Sequence, residues 1–278
     1  MKKNTITLLP ALFLISCTST SSETEKPLTY HKEEYHISQG EIDIYGNLFT
    51  PLDFSETSSY PLVILSHSAN VNSDTHNSYA ARLVDLGYLA YTFDYPGSSS
   101  SSRSTNISSC TIFTEKDTLL TVIDKLSVLS YTTDVFLFGT SQGGLVSSIA
   151  AEERADMLSG MVLFYPAFNI PELMLQFPSS IDEEYQKQLE EFDVYEVIGK
   201  EFTKDVLIVH GDSDFIVPVK YSEQAKEKYT SCTLEVVAGA THGFNKENYA
   251  FSDQYDKPTW KFASDFFTSH LKQTYRSL

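Results

Sequence analysis

Hydrophobic positions in this chain follow two periods that alternate along its length. Short apolar runs stand at Leu62–Ser66, Leu89–Phe93, Val135–Phe138, Met161–Tyr165, Val206–Val209 and Leu234–Val237. Unbroken runs of this length suit strands that helices cover on both faces. Between them lie segments of helical spacing. Tyr79–Leu86 stops at Gly87, and Glu115–Leu129 places Leu119, Leu120, Val122, Ile123 and Leu126 on one face. Leu145–Ala151, Tyr221–Tyr229 and Trp260–Leu271 continue the series, the last with Phe262, Phe266, Phe267 and Leu271 on its apolar side. Near the start, Tyr35–Ser38 and Ile42–Phe49 alternate around Gly40, as a hairpin at a sheet edge does. Strand and helix in alternation predict an α/β fold with a mostly parallel sheet.

The alternation breaks once, between Pro166 and Lys204. This insertion, about residues 167–203, has a helical middle at Asp182–Phe192 and is expected to lie over the active site as a short lid. It carries Asp182, Glu183, Glu184, Glu190, Glu191, Asp193 and Glu196 against Lys187. Such a charge run reads first as a solvated helix face. Ser98–Ser102 reads as a low-complexity loop.

The first residues have a different character. Lys2 and Lys3 precede an apolar stretch, Ile6–Ile15, interrupted by Pro10. That stretch is far shorter than the roughly 20 residues that span a bilayer, so it reads as a signal peptide. It ends in Leu14-Ile15-Ser16-Cys17, which resembles the lipobox of bacterial lipoproteins. The resemblance implies that residues 1–16 are removed and that Cys17 takes a lipid. Residues 17–32, rich in Ser, Thr and Glu, then form a flexible tether, and residues 33–278 form the folded domain. The expected location is the bacterial cell envelope, outside the cytoplasm and held to the membrane by the lipid. The chain has 278 residues and a net charge of -17. One α/β domain fills this length. The charge argues against nucleic acid as a partner.

Candidate chemistry sits at the ends of the strands. Gly139-Thr140-Ser141-Gln142-Gly143-Gly144 follows one strand and opens a helix. That context is what a nucleophile elbow requires, with Ser141 presented on a sharp turn. A serine hydroxyl needs a base, and in this fold an acid and then a histidine follow it in the chain. His210-Gly211-Asp212-Ser213-Asp214-Phe215 and Gly239-Ala240-Thr241-His242-Gly243-Phe244 each follow a strand. His242 is the predicted base and Asp214 the acid that orients it. Asp212, closer to its strand, is expected to order the turn instead. Of the seven histidines, His31, His36, His76 and His270 are expected at the surface. His67 and His210 are expected to bond loop backbone. No metal-ligand spacing occurs, so neither a metal nor a cofactor is expected.

These segments, with Leu62–Ser66, Asp94-Tyr95-Pro96-Gly97 and Tyr165-Pro166-Ala167-Phe168, resemble α/β-hydrolases of the serine-hydrolase branch. That branch includes feruloyl esterases and serine-aminopeptidase-like lysophospholipases. The resemblance implies an α/β-hydrolase fold with an eight-stranded, mostly parallel sheet flanked by helices. It implies hydrolysis of a small-molecule carboxylic ester through an acyl-enzyme on Ser141. The oxyanion hole it implies is the backbone N–H of Gln142 and of Ala69. A peptidase or amidase is the nearest alternative, and a catalytically silent binding lipoprotein a third. One departure bears on the oxyanion hole: His67-Ser68 stands where these proteins usually carry His-Gly. Finally, Cys110 should lie on the active-site side of the sheet and Cys232 on the opposite side. A disulfide between them is therefore not expected.

Overall fold

Strands without a polar face must be covered twice, and the sheet is built to do this. A computed structural model describes residues 29–245 and 253–274. Cys17, the expected signal peptide and most of the expected tether lie outside the described residues. The main sheet begins with β1 (Tyr30–Glu34). Then come β2 (Ile37–Gln39) and β3 (Ile42–Ile44), which pair only with each other, and β4 (Gly46–Pro51). β5 (Tyr60–Ser66), α1 (Asn77–Asp85), β6 (Leu89–Phe93), α2 (Ile112–Leu126), β7 (Thr132–Thr140) and α3 (Gln142–Glu153) follow. β8 (Gly160–Phe164) precedes the insertion, which holds α4 (Ile170–Leu175) and α5 (Glu183–Glu190). β9 (Asp205–Gly211), α6 (Lys220–Lys226), β10 (Cys232–Val237) and α7 (Asp253–Thr274) complete the order.

The eight-stranded sheet runs β1-β4-β6-β5-β7-β8-β9-β10. β1 and β4 are antiparallel to their neighbours, and every other pairing is parallel. This is the expected α/β-hydrolase fold. The two-residue period of a strand divides its side chains between two cores. Ile64, Tyr91, Leu137, Leu163 and Ile208 face one side and pack with Leu119 and Ile123 of α2 and Ile149 of α3. Val63, Leu65, Phe138, Val162 and Val209 face the other and pack with Leu83 of α1 and Phe267 of α7.

Several elements differ from expectation. The expected tether to residue 32 overlaps β1, where Tyr30 pairs with Pro51 and Lys32 with Phe49. The folded body therefore starts earlier than residue 33. Tyr30, His31 and Lys32 read as tether because an edge strand leaves most of its side chains in water. The expected Ile42–Phe49 strand is two strands. β3 ends at Ile44, and β4 starts at Gly46, where a side chain would strike the Tyr91 ring. The helix expected from Glu115 starts at Ile112, because Thr111 and Thr114 form a reciprocal capping box. Cys110 and Cys232 are both free thiols, the first beside the cavity described below and the second opening β10. Among the described residues no helix is long and apolar enough to cross a membrane.

Candidate active site

The turn between β7 and α3 carries Ser141 in a conformation that side chains avoid, with φ 50° and ψ -118°. Its neighbours explain how the turn closes. A Cβ on Gly143 would collide with the carbonyls of Ser66 and His67, and one on Gly139 with the backbone of Gly143 and Gly144. Only glycine permits this approach of helix to strand. Four described residues other than glycine have positive φ: Asn70, Ser141, Tyr165 and Phe244. Each lies on a loop that borders Ser141 or His242. Strain of this kind persists only where surrounding structure enforces it, and it clusters at functional sites.

The expected trio meets at the C-terminal ends of β7, β9 and β10. Ser141 Oγ lies 2.9 Å from His242 Nε2. His242 Nδ1 lies 2.7 Å from Asp214 Oδ2. With the ring proton on Nδ1 facing the carboxylate, Nε2 is free to accept from the serine hydroxyl. The other carboxylate oxygen of Asp214 accepts from the backbone N–H of Ile216 at 2.9 Å and of Val217 at 2.8 Å. Burial alone would raise the Asp214 pKa, but the hydrogen bonds from His210 and His242 outweigh it and hold the carboxyl well below the usual range. Asp212 instead accepts from the N–H of Gly239 at 2.7 Å and orders the turn.

His210 forms a second layer beneath this trio. Its Nε2 lies 2.8 Å from the Val217 carbonyl and 3.2 Å from Asp214 Oδ2, and its Nδ1 lies 2.7 Å from Ser222 Oγ. A carbonyl only accepts, so Nε2 carries the proton and Nδ1 accepts from Ser222. His210 thus bonds loop backbone, as expected, and also holds the carboxylate. His67 bonds the Ser68 carbonyl at 2.8 Å, again as expected. His31 and His36 are exposed. His76 is not a surface residue. It is 1 % exposed, with Nε2 3.1 Å from Thr140 Oγ1. His270 is only partly exposed and packs on Phe266, with ring centroids 4.3 Å apart.

The N–H groups of Ala69 and Gln142 have no acceptor among the described residues. Both residues line a cavity of about 460 Å³ beside Ser141. The insertion contributes part of its wall, through Met174, Ile181, Asp182 and Tyr185. It docks on the loop before α2, where Ser109 Oγ donates to Asp182 at 3.1 Å, and on the first turn of α2, where the Phe113 and Phe192 rings stand 5.3 Å apart. The other acids of the α5 helix, Glu183, Glu184 and Glu190, face solvent, as expected of a charge run.

Sequence reasoning gave no role to Glu115. It is 2 % exposed, lines the cavity, and its carboxylate meets the side-chain amide of Gln142 at 2.7 Å and the Cys110 thiol at 3.5 Å. Burial pushes its pKa up to about 7. Asp94, in the segment Asp94-Tyr95-Pro96-Gly97, is fully buried and ties two loops together. It accepts from the N–H and hydroxyl of Ser73 and from the backbone and guanidinium of Arg103. No group of three His, Cys, Asp or Glu side chains among the described residues could hold a metal ion.

An eight-stranded hydrolase sheet, a serine on a strained elbow and a histidine–carboxylate pair behind it define the class: a serine hydrolase of the α/β-hydrolase fold. Residues 58–196, half of the chain, match the serine aminopeptidase family S33, and the chain belongs to that family. No curated protein matches it in sequence. Among solved structures it is similar to Est1E from Butyrivibrio proteoclasticus with ferulic acid bound. The two are 24% identical over 86% of this chain and 99% of that one, with a TM-score of 0.75. It is also similar to a monoacylglycerol lipase from Paleococcus ferrophilus, 18% identical over 82% and 99% of the two chains, with a TM-score of 0.59. A membrane phospholipase A described as a bacterial virulence factor is 15% identical over 77% and 80%, with a TM-score of 0.58. At these identities the likeness concerns the fold.

Proposed function

We propose that this protein cleaves a carboxylic ester through an acyl-enzyme on Ser141. The observation that carries the reading is the relay Ser141–His242–Asp214, with contacts of 2.9 and 2.7 Å on a strained turn. His242 Nε2 takes the hydroxyl proton as Ser141 Oγ attacks the acyl carbonyl. Asp214 stabilises the imidazolium and keeps the ring in the productive tautomer. The oxyanion is received by the N–H groups of Gln142 and Ala69, the first at the N-terminus of α3, whose dipole favours negative charge. The intermediate collapses, His242 returns the proton to the leaving alcohol, and the acyl group stays on Ser141. Water then attacks the acyl-enzyme with His242 as base, releasing the acid and the free serine. The insertion serves as a lid that narrows the cavity around the ester. Est1E and the monoacylglycerol lipase, named for esters or bound to a carboxylic acid, favour ester over amide as the substrate.

One observation favours a second reading, hydrolysis of an amide or ester that bears an amine. Glu115 and Asp182 line the cavity, and no Lys, Arg or His does so among the described residues. Such a wall attracts a cationic group and repels a carboxylate. The test is a series of p-nitrophenyl esters of rising acyl length beside aminoacyl p-nitroanilides, together with labelling by a fluorophosphonate. Turnover of the neutral esters with labelling at Ser141 supports the first reading. Turnover confined to aminoacyl substrates favours the second. Absence of labelling would leave a hydrolase fold used for binding.

The same proposal places the protein at the bacterial cell envelope. Residues 1–16 act as a cleaved signal peptide, and Cys17 carries the lipid. The chain that follows, to the start of β1 at Tyr30, acts as the tether to the membrane surface.

A further inference from the structure

The loop after β5 opens with His67-Ser68, and the Ser68 hydroxyl has a defined place. Ser68 Oγ lies 2.8 Å from Thr140 Oγ1 and 3.4 Å from the Thr140 carbonyl. Thr140 immediately precedes Ser141. We propose that Ser68 is a positioning residue that clips the loop bearing the Ala69 N–H to the nucleophile elbow, through Thr140. The inference rests on the reading of Ser141 as the nucleophile.

Two independent sets of contacts hold the peptide between Ser68 and Ala69. The first acts on its carbonyl. The N–H of Tyr95 donates to His67 Nε2 at 3.1 Å, so the ring proton resides on Nδ1. That proton is donated to the Ser68 carbonyl at 2.8 Å. Burial lowers the His67 pKa, which keeps the ring neutral and this arrangement intact. In a trans peptide the carbonyl and the following N–H point in opposite directions. Holding the Ser68 carbonyl therefore aims the Ala69 N–H away from His67.

The second set fixes where the peptide stands relative to Ser141. Thr140 Oγ1 also lies 3.1 Å from His76 Nε2, and Thr140 is 3 % exposed. His76 Nδ1 is buried and has no partner among the described residues. A bare lone pair there is cheaper than an orphaned N–H, so Nε2 carries the proton and donates to Thr140. Burial brings the His76 pKa down to about 3, which excludes the doubly protonated ring. The Thr140 hydroxyl, having accepted from His76, donates its own proton to Ser68 Oγ. The Tyr165 ring, on the loop after β8, stands edge-on to His242 with centroids 4.9 Å apart, and the Tyr165 backbone follows Phe164, whose carbonyl accepts from the Ser141 N–H. The Ser68–Thr140 contact thus joins the Ala69 donor to the nucleophile's turn. A glycine at position 68 leaves the Ser68–Ala69 peptide with the His67 contact. The spacing of the Ala69 and Gln142 donors is then free to vary, and oxyanion stabilisation depends on that spacing.

The experiment measures kcat and KM on p-nitrophenyl acetate, with active sites counted by fluorophosphonate titration, so that misfolded protein does not enter kcat. Ser68→Ala and Thr140→Val are each expected to lower kcat about tenfold, a part of the roughly 10²–10³-fold that loss of an oxyanion donor costs. KM should stay within about twofold, because ground-state binding does not use the oxyanion. The double variant should be no slower than Thr140→Val alone, which removes the same Ser68 contact and also takes the acceptor from His76. Thr140→Ser, which keeps the hydroxyl, should retain wild-type kcat. Should Ser68→Ala not fold, Ser68→Gly makes the same test. A wild-type kcat per titrated site in the Ser68 variant, or losses that multiply in the double variant, would overturn the clip. A wild-type protein that is not labelled at Ser141 would instead overturn the reading on which the clip depends.

Discussion

The Glu115 carboxylate accepts a 2.7 Å hydrogen bond from the side-chain amide of Gln142, the residue that follows Ser141. An acid placed in the first turn of a helix usually faces water and favours the helix dipole. This one faces the cavity next to the elbow and is 2 % exposed. Its pKa, pushed from 4.5 to about 7 by burial, makes it a measurable contributor to stability.

Below pH 4.5 both the folded and the unfolded chain hold this proton. As pH rises to about 7 the folded chain binds more protons than the unfolded one, so stability falls. The fall amounts to about 3 kcal/mol once both forms are ionised. Glu115→Gln should remove it. In urea unfolding at about pH 4.5 and about pH 8, the variant should lose about 3 kcal/mol less than the wild type between the two. Parallel pH dependence of the two proteins would show that Glu115 ionises as a solvent-exposed acid does.

Ser141→Ala should abolish ester turnover and fluorophosphonate labelling while leaving the thermal midpoint within a few degrees. The substitution removes one oxygen atom whose partner is His242 Nε2, and no core side chain changes. Retained labelling would place the nucleophile elsewhere.

Asp214→Asn should lower kcat by about 10⁴, because the amide no longer selects the imidazole tautomer with its proton on Nδ1. Asp212→Asn should cost far less, since its carboxylate meets the N–H of Gly239 and not His242. Kinetics of the two purified variants decide between them. A larger loss at Asp212 would reverse the assignment.

Cys17→Ser should move the protein from the membrane fraction to the soluble fraction and remove the lipid from its N-terminus. Fractionation with intact-mass measurement reads both. A wild-type protein found soluble with an unmodified N-terminus would refute the anchor.

Gly143→Ala should prevent the native elbow from forming, because a Cβ there meets the Ser66 and His67 carbonyls. Circular dichroism and yield of soluble protein report the loss. Native stability in this variant would mean that β5 and α3 can separate without cost.

Much of this molecule can be read from short stretches of chain. The alternation of apolar runs and helical spacing places β5 to β10 and their helices, because those periods depend only on neighbouring residues. The elbow at Gly139–Gly144 is equally local, since the glycines, the serine and the turn lie within one motif. Chain order then points to Asp214 and His242. Other features depend on what distant segments bring. Ser68 and Thr140 are 72 positions apart, and Ser141 and His242 are 101 apart. His76 reads as a surface loop residue, and it is buried because Thr140 and the Phe138 ring lie against it. Glu115 reads as an ordinary helix start, and it becomes a cavity group because the insertion and the elbow close around it. The first residues of β1, Tyr30 to Lys32, read as tether, and they form a strand because β4 offers an open edge. Propensity and period are properties of a sequence window. Burial, tautomer and pKa belong to the groups that folding assembles around a side chain.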